Sequence, residues 1–249
     1  MINKGFTLVE LLIAIAVGSL IMAAVYGAVN MSQRTSSSIE KRVIAQQDVR
    51  GALDLMALEI RMASYNQSLN NTIWRDPICP CINASANPTY KGIQAATANS
   101  ITIEMDINDT GVINTDNNAN PNEIITYTYV AGENDLRITR ETNCGGASSF
   151  IGDTKARADS GHPRVVRVIN DLNGNNVYDT GDVPLFRYFR YDNIEIFPGT
   201  DPTQIPNIKT IEISIAVETE NLDPTTNARK RLVYSTRVIP RNHGVSAHY

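Results

Sequence analysis

The amino-terminal segment and the rest of the chain follow different rules of polarity. From Phe6 to Asn30 the only charged side chain is Glu10, and the apolar run continues through Gly18 and Ser19 to Val29. A helix of about 20 apolar residues crosses a bilayer, so this stretch is long enough to span one. Polar positions then enter with a helical period. Ala45, Val49, Leu53, Met56, Ile60 and Ala63 recur at spacings of three and four, while Arg42, Asp48, Arg50, Asp54 and Glu59 fall on other faces. No proline occurs before Pro77, so one continuous helix is expected from about Phe6 to about Ser64. It would be roughly 90 Å long at 1.5 Å per residue. Residues 6–30 form its apolar half and residues 31–65 its amphipathic half.

Beyond this point the period changes. Residues 66–99 are rich in Asn, Ala and Pro and read as a long loop region. Strand-like runs follow over Ser100–Ile107, Glu123–Val130 and Asp135–Glu141, the last two joined by Ala131-Gly132-Glu133-Asn134 as a hairpin turn. Further strands are expected over Arg164–Ile169, Leu185–Tyr191, Ile208–Glu218 and Arg231–Ile239. In Ile208–Glu218, Ile211, Ile213, Ile215 and Val217 alternate with other residues, which predicts one buried and one wet face. A helix followed by antiparallel strands is an α+β order, with residues 66–249 as one β-rich head domain.

Composition narrows the function classes. A formal net charge of -4 over 249 residues argues against a nucleic-acid binder, which carries a basic face. A hydrophobic share of 42% is ordinary for a globular protein, but here an apolar segment is diluted by a polar domain. The cysteines are Cys79, Cys81 and Cys144. Cys79 and Cys81 flank Pro80, and a bridge across one residue is geometrically awkward. For a domain outside the cytoplasm the reading is a bridge from Cys144 to either Cys79 or Cys81, with three free thiols as the alternative.

Lys4 and the initial amine precede the apolar run, which favours a cytoplasmic amino terminus and an outward-facing head. A secretory signal would carry a shorter apolar region ending in small residues. Glu10 is the anomaly, because a carboxylate among apolar side chains in a membrane calls for a partner. If the chain were cut after Gly5, the new amine of Phe6 would be a nearby cation. In an assembled bundle, Glu10 of one subunit could neutralise that amine on its neighbour. An ordinary anchor helix with an interfacial Glu is the alternative.

The run Lys4-Gly5-Phe6-Thr7-Leu8-Val9-Glu10-Leu11-Leu12-Ile13-Ala14 resembles the class III signal of type IV prepilins and type II secretion pseudopilins. The resemblance implies a leader of residues 1–5, cleavage by a prepilin peptidase between Gly5 and Phe6, N-methylation of Phe6, and guidance of assembly by Glu10. It also implies the pilin fold, with a long helix packed on an antiparallel sheet. Two further segments, Ala45-Gln46-Gln47-Asp48-Val49-Arg50 and Glu59-Ile60-Arg61-Met62-Ala63-Ser64-Tyr65, are similar to PilW-like minor pilins and GspJ-type pseudopilins. The ending Arg237-Val238-Ile239-Pro240-Arg241-Asn242 looks like the closing strand of PilW-like proteins. These likenesses imply a minor pilin that primes or caps a type IV pilus. Its partners would be other pilins, the inner-membrane assembly platform and a tip adhesin. The head would be periplasmic before assembly, and the subunit would then enter a surface pilus or a periplasmic filament. The rival roles are a GspJ-type pseudopilin of a type II secretion filament and a membrane-tethered adhesin that never polymerises.

One loop carries the spacing of a calcium ligand set. In Asp171-Leu172-Asn173-Gly174-Asn175-Asn176-Val177-Tyr178-Asp179-Thr180-Gly181-Asp182, oxygen side chains fall at positions 1, 3, 5, 9 and 12, and Val177 offers its carbonyl. Asn176 stands where the turn glycine is usual, and Asp182 is a shorter arm than the usual Glu. A solvated Asn/Asp-rich turn is the alternative reading. A weaker echo is Asp106, Asn108, Thr110, Val112, Asn114 and Asn117, with Gly111 at position 6. Either ion would be structural. His162, His243 and His248 show no metal-ligand spacing, and the last two are expected in a mobile tail. No nucleophile elbow, phosphate loop or dinucleotide fingerprint occurs, so no enzyme is expected. Tyr188, Phe189 and Tyr191, interleaved with Arg187 and Arg190, read as a half-buried strand and not as a stacking platform.

Overall fold

A computed structural model describes residues 7–70, 72–74, 88–114, 121–132, 135–154, 166–175, 178–219, 222–223 and 226–243. The expected helix is present as one element, α1 (Leu8–Met62), of 55 residues. Thr7 caps its start, and its first glycines, Gly18 and Gly27, meet no neighbouring atom that would bend it. Every residue from Leu8 to Val29 is exposed, so no described part of the head covers the apolar half. The second half lies on the head and buries Ala45, Val49, Leu53, Met56, Ile60 and Ala63, the stripe read from the spacing.

One position on this half departs from the expected pattern. Glu59, placed by its charge on a solvent face, is buried. Its carboxylate accepts from Arg140 Nη2 at 2.6 Å and Nε at 3.2 Å, and from the Tyr127 hydroxyl. Burial and the neighbouring Glu59 carboxylate push the Tyr127 phenol far above its ordinary range, so it remains a donor. A charge can be buried when it is paired and hydrogen-bonded, and these two partners supply both conditions.

The head is antiparallel throughout its paired strands, and it holds two sheets where the sequence suggested one. The first is a meander of β1 (Ile93–Ala96), β2 (Ser100–Glu104), β3 (Ile124–Val130), β4 (Asp135–Thr142) and β5 (Ser148–Thr154). The second contains β6 (Val166–Val168), β7 (Phe186–Phe189), β8 (Glu195–Ile196), β9 (Thr210–Thr219) and β10 (Arg231–Val238). β10 lies along one side of β9; β7 and β6 share the other side, on its first and last thirds. The helix packs against β5, β9 and β10, so both sheets and α1 close on one core.

Three strands add to those expected from the sequence: β1, inside the Asn-, Ala- and Pro-rich stretch, and β5 and β8. Within that stretch Ile73 and Trp74 also form a small buried cluster with Ile113 and Ile124. The wet face expected for β9 is covered in its middle, where Ser214 and Ala216 are buried. Leu136, Ile169 and Val183 cover Ala216 there, and Asn170 holds that cover in place: its side-chain amide donates to the carbonyls of Val183 and Ser214 while its oxygen accepts from Ala216 N. This fully bonded buried amide fastens the 169–183 segment across β9, and Ser235 on β10 meets Ser214 Oγ at 2.8 Å. Tyr188 and Phe189 are buried on β7, whereas Tyr191 lies beyond the strand and is exposed.

Candidate functional site

The helix start is organised by Thr7. Its Oγ1 accepts from Glu10 N at 3.3 Å, and Glu10 Oε2 accepts from Thr7 N and Thr7 Oγ1, both at 2.9 Å. This is a capping box, in which a side chain at each end satisfies a backbone donor that lacks a helical partner. The lone carboxylate of the apolar half is thus turned toward the helix amino terminus, the end at which a new amine at Phe6 would lie. Gly5 and Phe6 themselves fall outside the described residues.

The helix also keeps apolar side chains in the open after it has joined the head. Ile39, Val43, Leu55, Leu58 and Met62 are exposed, Leu58 to 53%. Near the helix end, Leu58, Met62, Tyr65, Ile107 and Arg241 line a shallow groove of about 520 Å³. Exposed apolar side chains therefore recur on the second half of the helix, at Ile39 and Val43 and again from Leu55 to Met62, with the exposed Gln47, Asp48, Arg50 and Asp54 between them.

At its carboxyl end α1 is stitched to the head by backbone. Ser64 adopts a left-handed φ of 65° and donates its N–H to Glu104 O, while Arg241 N donates to Arg61 O. A Cβ on Gly92 would stand 2.3 Å from Glu104 O and 2.4 Å from Ser64 N, so only glycine lets β1 approach this junction. His243 completes it and corrects the expectation of a mobile tail, because its ring is buried. Nε2 lies 2.8 Å from Ile205 O, a group that only accepts, so this nitrogen carries the proton. Nδ1 is then the acceptor for Ser64 Oγ at 3.0 Å, and that oxygen in turn accepts from Gly92 N. Burial lowers the imidazole to about 4, and the Lys91 ammonium near it acts in the same direction. His162 and His248 fall outside the described residues.

The loop at 171–182 is folded by its own polar groups. Asp171 Oδ1 accepts from Gly174 N at 2.7 Å. Asn173 and Asn175 both direct their amide nitrogens at Asp179 Oδ2, at 3.1 and 3.3 Å. Asp182 takes Leu172 N and Asp179 N on its two oxygens, which joins the ends of the loop. Those amides, Asp179 first, hold its carboxyl below the usual carboxylate range. Val177 lies outside the described residues. In the weaker loop, Asp106 accepts from Thr110 N and Gly111 N, and Thr110 Oγ1 donates to Val112 O. The backbone N–H groups of Asn108 and Asn114 donate to the carboxylate of Glu123, a residue outside the ligand spacing; Asn117 is outside the described residues. Burial raises the Glu123 carboxyl, against the lowering effect of those amides. Among the described residues no three His, Cys, Asp or Glu side chains gather as a metal cluster. Cys144 is disulfide-bonded; Cys79 and Cys81 lie outside the described residues.

A long helix with an apolar first half, long enough to cross a membrane and carrying one acid near its start, is set here on an antiparallel head, which is the α+β architecture of the pilin fold. Residues 1–26 match the prokaryotic N-terminal methylation motif, which supports a type IV pilin-like protein. The motif implies processing by a prepilin peptidase and assembly with other pilins, and it points to a structural and not a catalytic protein. No curated protein and no solved structure matches the chain.

Proposed function

We propose that the chain is a PilW-like minor pilin that primes or caps a type IV pilus. The observation that carries a filament role is the conjunction of the methylation motif with a helix that leaves Leu55, Leu58 and Met62 exposed beside the head. A simple tether needs apolar surface only within the bilayer. Here Leu55, Leu58 and Met62 form a separate exposed apolar patch far beyond it, where another subunit's helix can bury them. Glu10 sets the axial register: it exchanges the Thr7 groups of its own capping box for the methylated amine of Phe6 on a neighbour. Replacing Glu10 with alanine is expected to abolish incorporation into filaments while the processed subunit still accumulates in the membrane, as read by immunoblots of sheared filaments against membranes. Unchanged function without incorporation would favour the tethered adhesin.

The GspJ-type pseudopilin remains the second reading, because the amino-terminal motif is common to both classes. Neighbouring genes separate them: pilus subunits with a large tip adhesin in one case, a secretion operon in the other.

The 171–182 loop is proposed as a structural calcium site. Rotating the Asn173 and Asn175 amides by half a turn would bring their carbonyl oxygens to Asp179 Oδ2, so positions 3, 5 and 9 would converge as oxygens. An ion at a hundredfold excess over its dissociation constant adds about 2.7 kcal/mol. For a head of this size that is a rise in melting temperature of roughly 5–10 °C over a chelated sample. Asp179→Ala is expected to remove the rise, and identical melting with and without chelator would exclude the site.

A further inference from the structure

Asp223, from the connection between β9 and β10, meets the helix just above the point where its apolar half ends. Ser38 Oγ donates to Asp223 Oδ2 at 2.7 Å across this contact. Beside it lies a cleft of about 200 Å³ whose lining includes Ser38, Lys41, Arg42, Leu222, Asp223 and Lys230. Three of these are cations and one is an acid, and the acid already accepts from Ser38. Among the described residues, neither Lys41, Arg42 nor Lys230 has an ion-pair partner. Glu40, the nearest acid on the helix, is exposed and not part of the lining.

The height of the cleft above the membrane follows from helix geometry. The uncharged stretch from Leu11 to Met31 is about 31 Å long at 1.5 Å per residue, close to the hydrocarbon thickness of about 30 Å. With Glu10 at one boundary, Met31 stands at the other. The polar collar Ser32-Gln33-Arg34-Thr35-Ser36-Ser37-Ser38 then rises through the headgroup layer. Lys41 and Arg42 start about 15 Å above Met31. Their Cβ atoms tilt toward the helix amino terminus, and such long stems lay their charged ends toward the lipid surface.

We propose that this cleft binds the phosphate headgroup of an anionic phospholipid in the leaflet facing the head, while the subunit is still in the membrane. Lys41 and Arg42 take the phosphate from the helix side, and Lys230 closes over it from the loop. Leu222 faces the glycerol end. A zwitterionic headgroup fits less well, because its ammonium would enter a site already holding three cations. The site fixes the tilt and rotation of the anchor relative to the head, and it empties when the subunit leaves the bilayer. It rests on the helix spanning a membrane and not on the kind of filament the subunit joins.

The test uses the full processed chain in vesicles of phosphatidylcholine with a minor share of phosphatidylglycerol. Mild detergent extraction is followed by mass spectrometry of the lipid retained on the intact protein. Phosphatidylglycerol is expected to be enriched several-fold over its share in the vesicle. Each of Lys41→Gln, Arg42→Gln and Lys230→Gln is expected to lower that preference by about fivefold, the effect of one cation near an anionic surface. Arg50→Gln, two turns farther along the helix and outside the cleft, should leave it unchanged. An equal fall with Arg50→Gln, or no enrichment in the parent protein, overturns the site. Displacement of the lipid by inorganic phosphate alone overturns the membrane assignment. Circular dichroism melting of each variant excludes misfolding as the cause. The methylation state of Phe6 is read from the same spectra, so failure here is distinguishable from failure of the filament reading.

Discussion

Glu59→Ala is expected to lower the stability of the head by about 3–5 kcal/mol, the usual consequence of leaving a buried charge without its partner. The guanidinium of Arg140 would lose two hydrogen bonds to the carboxylate, and the Tyr127 hydroxyl would lose its acceptor. No water reaches this position easily, because the Glu59 side chain is only 10% exposed and that of Arg140 22%. In a domain of this size the loss corresponds to a melting temperature lower by roughly 10 °C or more. The pair joins α1 to β3 and β4, so the helix is expected to loosen from the first sheet before the second sheet unfolds. Glu59→Met combined with Arg140→Met should recover the part of the loss due to the unmet charge, while adding Tyr127→Phe should remove the remaining unpaired hydroxyl. A single-variant effect below about 1 kcal/mol would mean that the pair is solvated and the helix docks by apolar contact alone.

The second large effect is a loss of stability in acid through His243. Its ring is buried as the neutral form, with a folded value of about 4 against an ordinary value of 6.5. A group whose value is depressed on folding contributes its full share above the unfolded value. That share is lost as pH falls, because the unfolded chain then binds the proton more readily. The window here runs from pH 6.5 down to about 4, and the total is about 3 kcal/mol. Protonation would place a second donor against Ser64 Oγ beside Gly92 N, so that hydroxyl would lose the hydrogen bond it donates to Nδ1, and would add a charge near Lys91. Glu123, whose carboxyl is raised by burial, acts with the opposite sign. The measurement is therefore a difference: melting temperature against pH for the parent chain and for His243→Gln. The parent is expected to fall more steeply below pH 6.5, and parallel curves would show that the imidazole is not the titrating group.

The long helix was legible because its signals are local. Spacings of three and four from Ala45 to Ala63 and the absence of proline are readable without knowing what lies opposite. The methylation motif is equally local, and so is the alternation of Ile211, Ile213, Ile215 and Val217. What stayed hidden depends on distant partners. Glu59 is acceptable in the core only because Arg140 and Tyr127 arrive from the first sheet, and nothing around residue 59 announces them. His243 sits in a polar stretch, and its burial depends on Ser64 and Ile205 from two other elements. β5 is read poorly from Ser148-Ser149-Phe150-Ile151-Gly152-Asp153-Thr154 because it mixes hydroxyls with a glycine. That glycine is needed there: its φ is +74°, and a Cβ would stand 2.3 Å from Leu136 O. β8 holds only two residues, too short for any period. The calcium-type loops show the same limit, since ligand spacing is written in the sequence but the choice of donor, backbone amide or ion, is made by the fold.

A filament subunit of this class is defined by the chemistry of its mature amino terminus. Intact mass and terminal fragmentation of the protein recovered from cells carrying a prepilin peptidase should show Met1–Gly5 removed and one methyl group on the amine of Phe6. Recovery of the chain with that leader still attached and Phe6 unmodified would contradict a filament role.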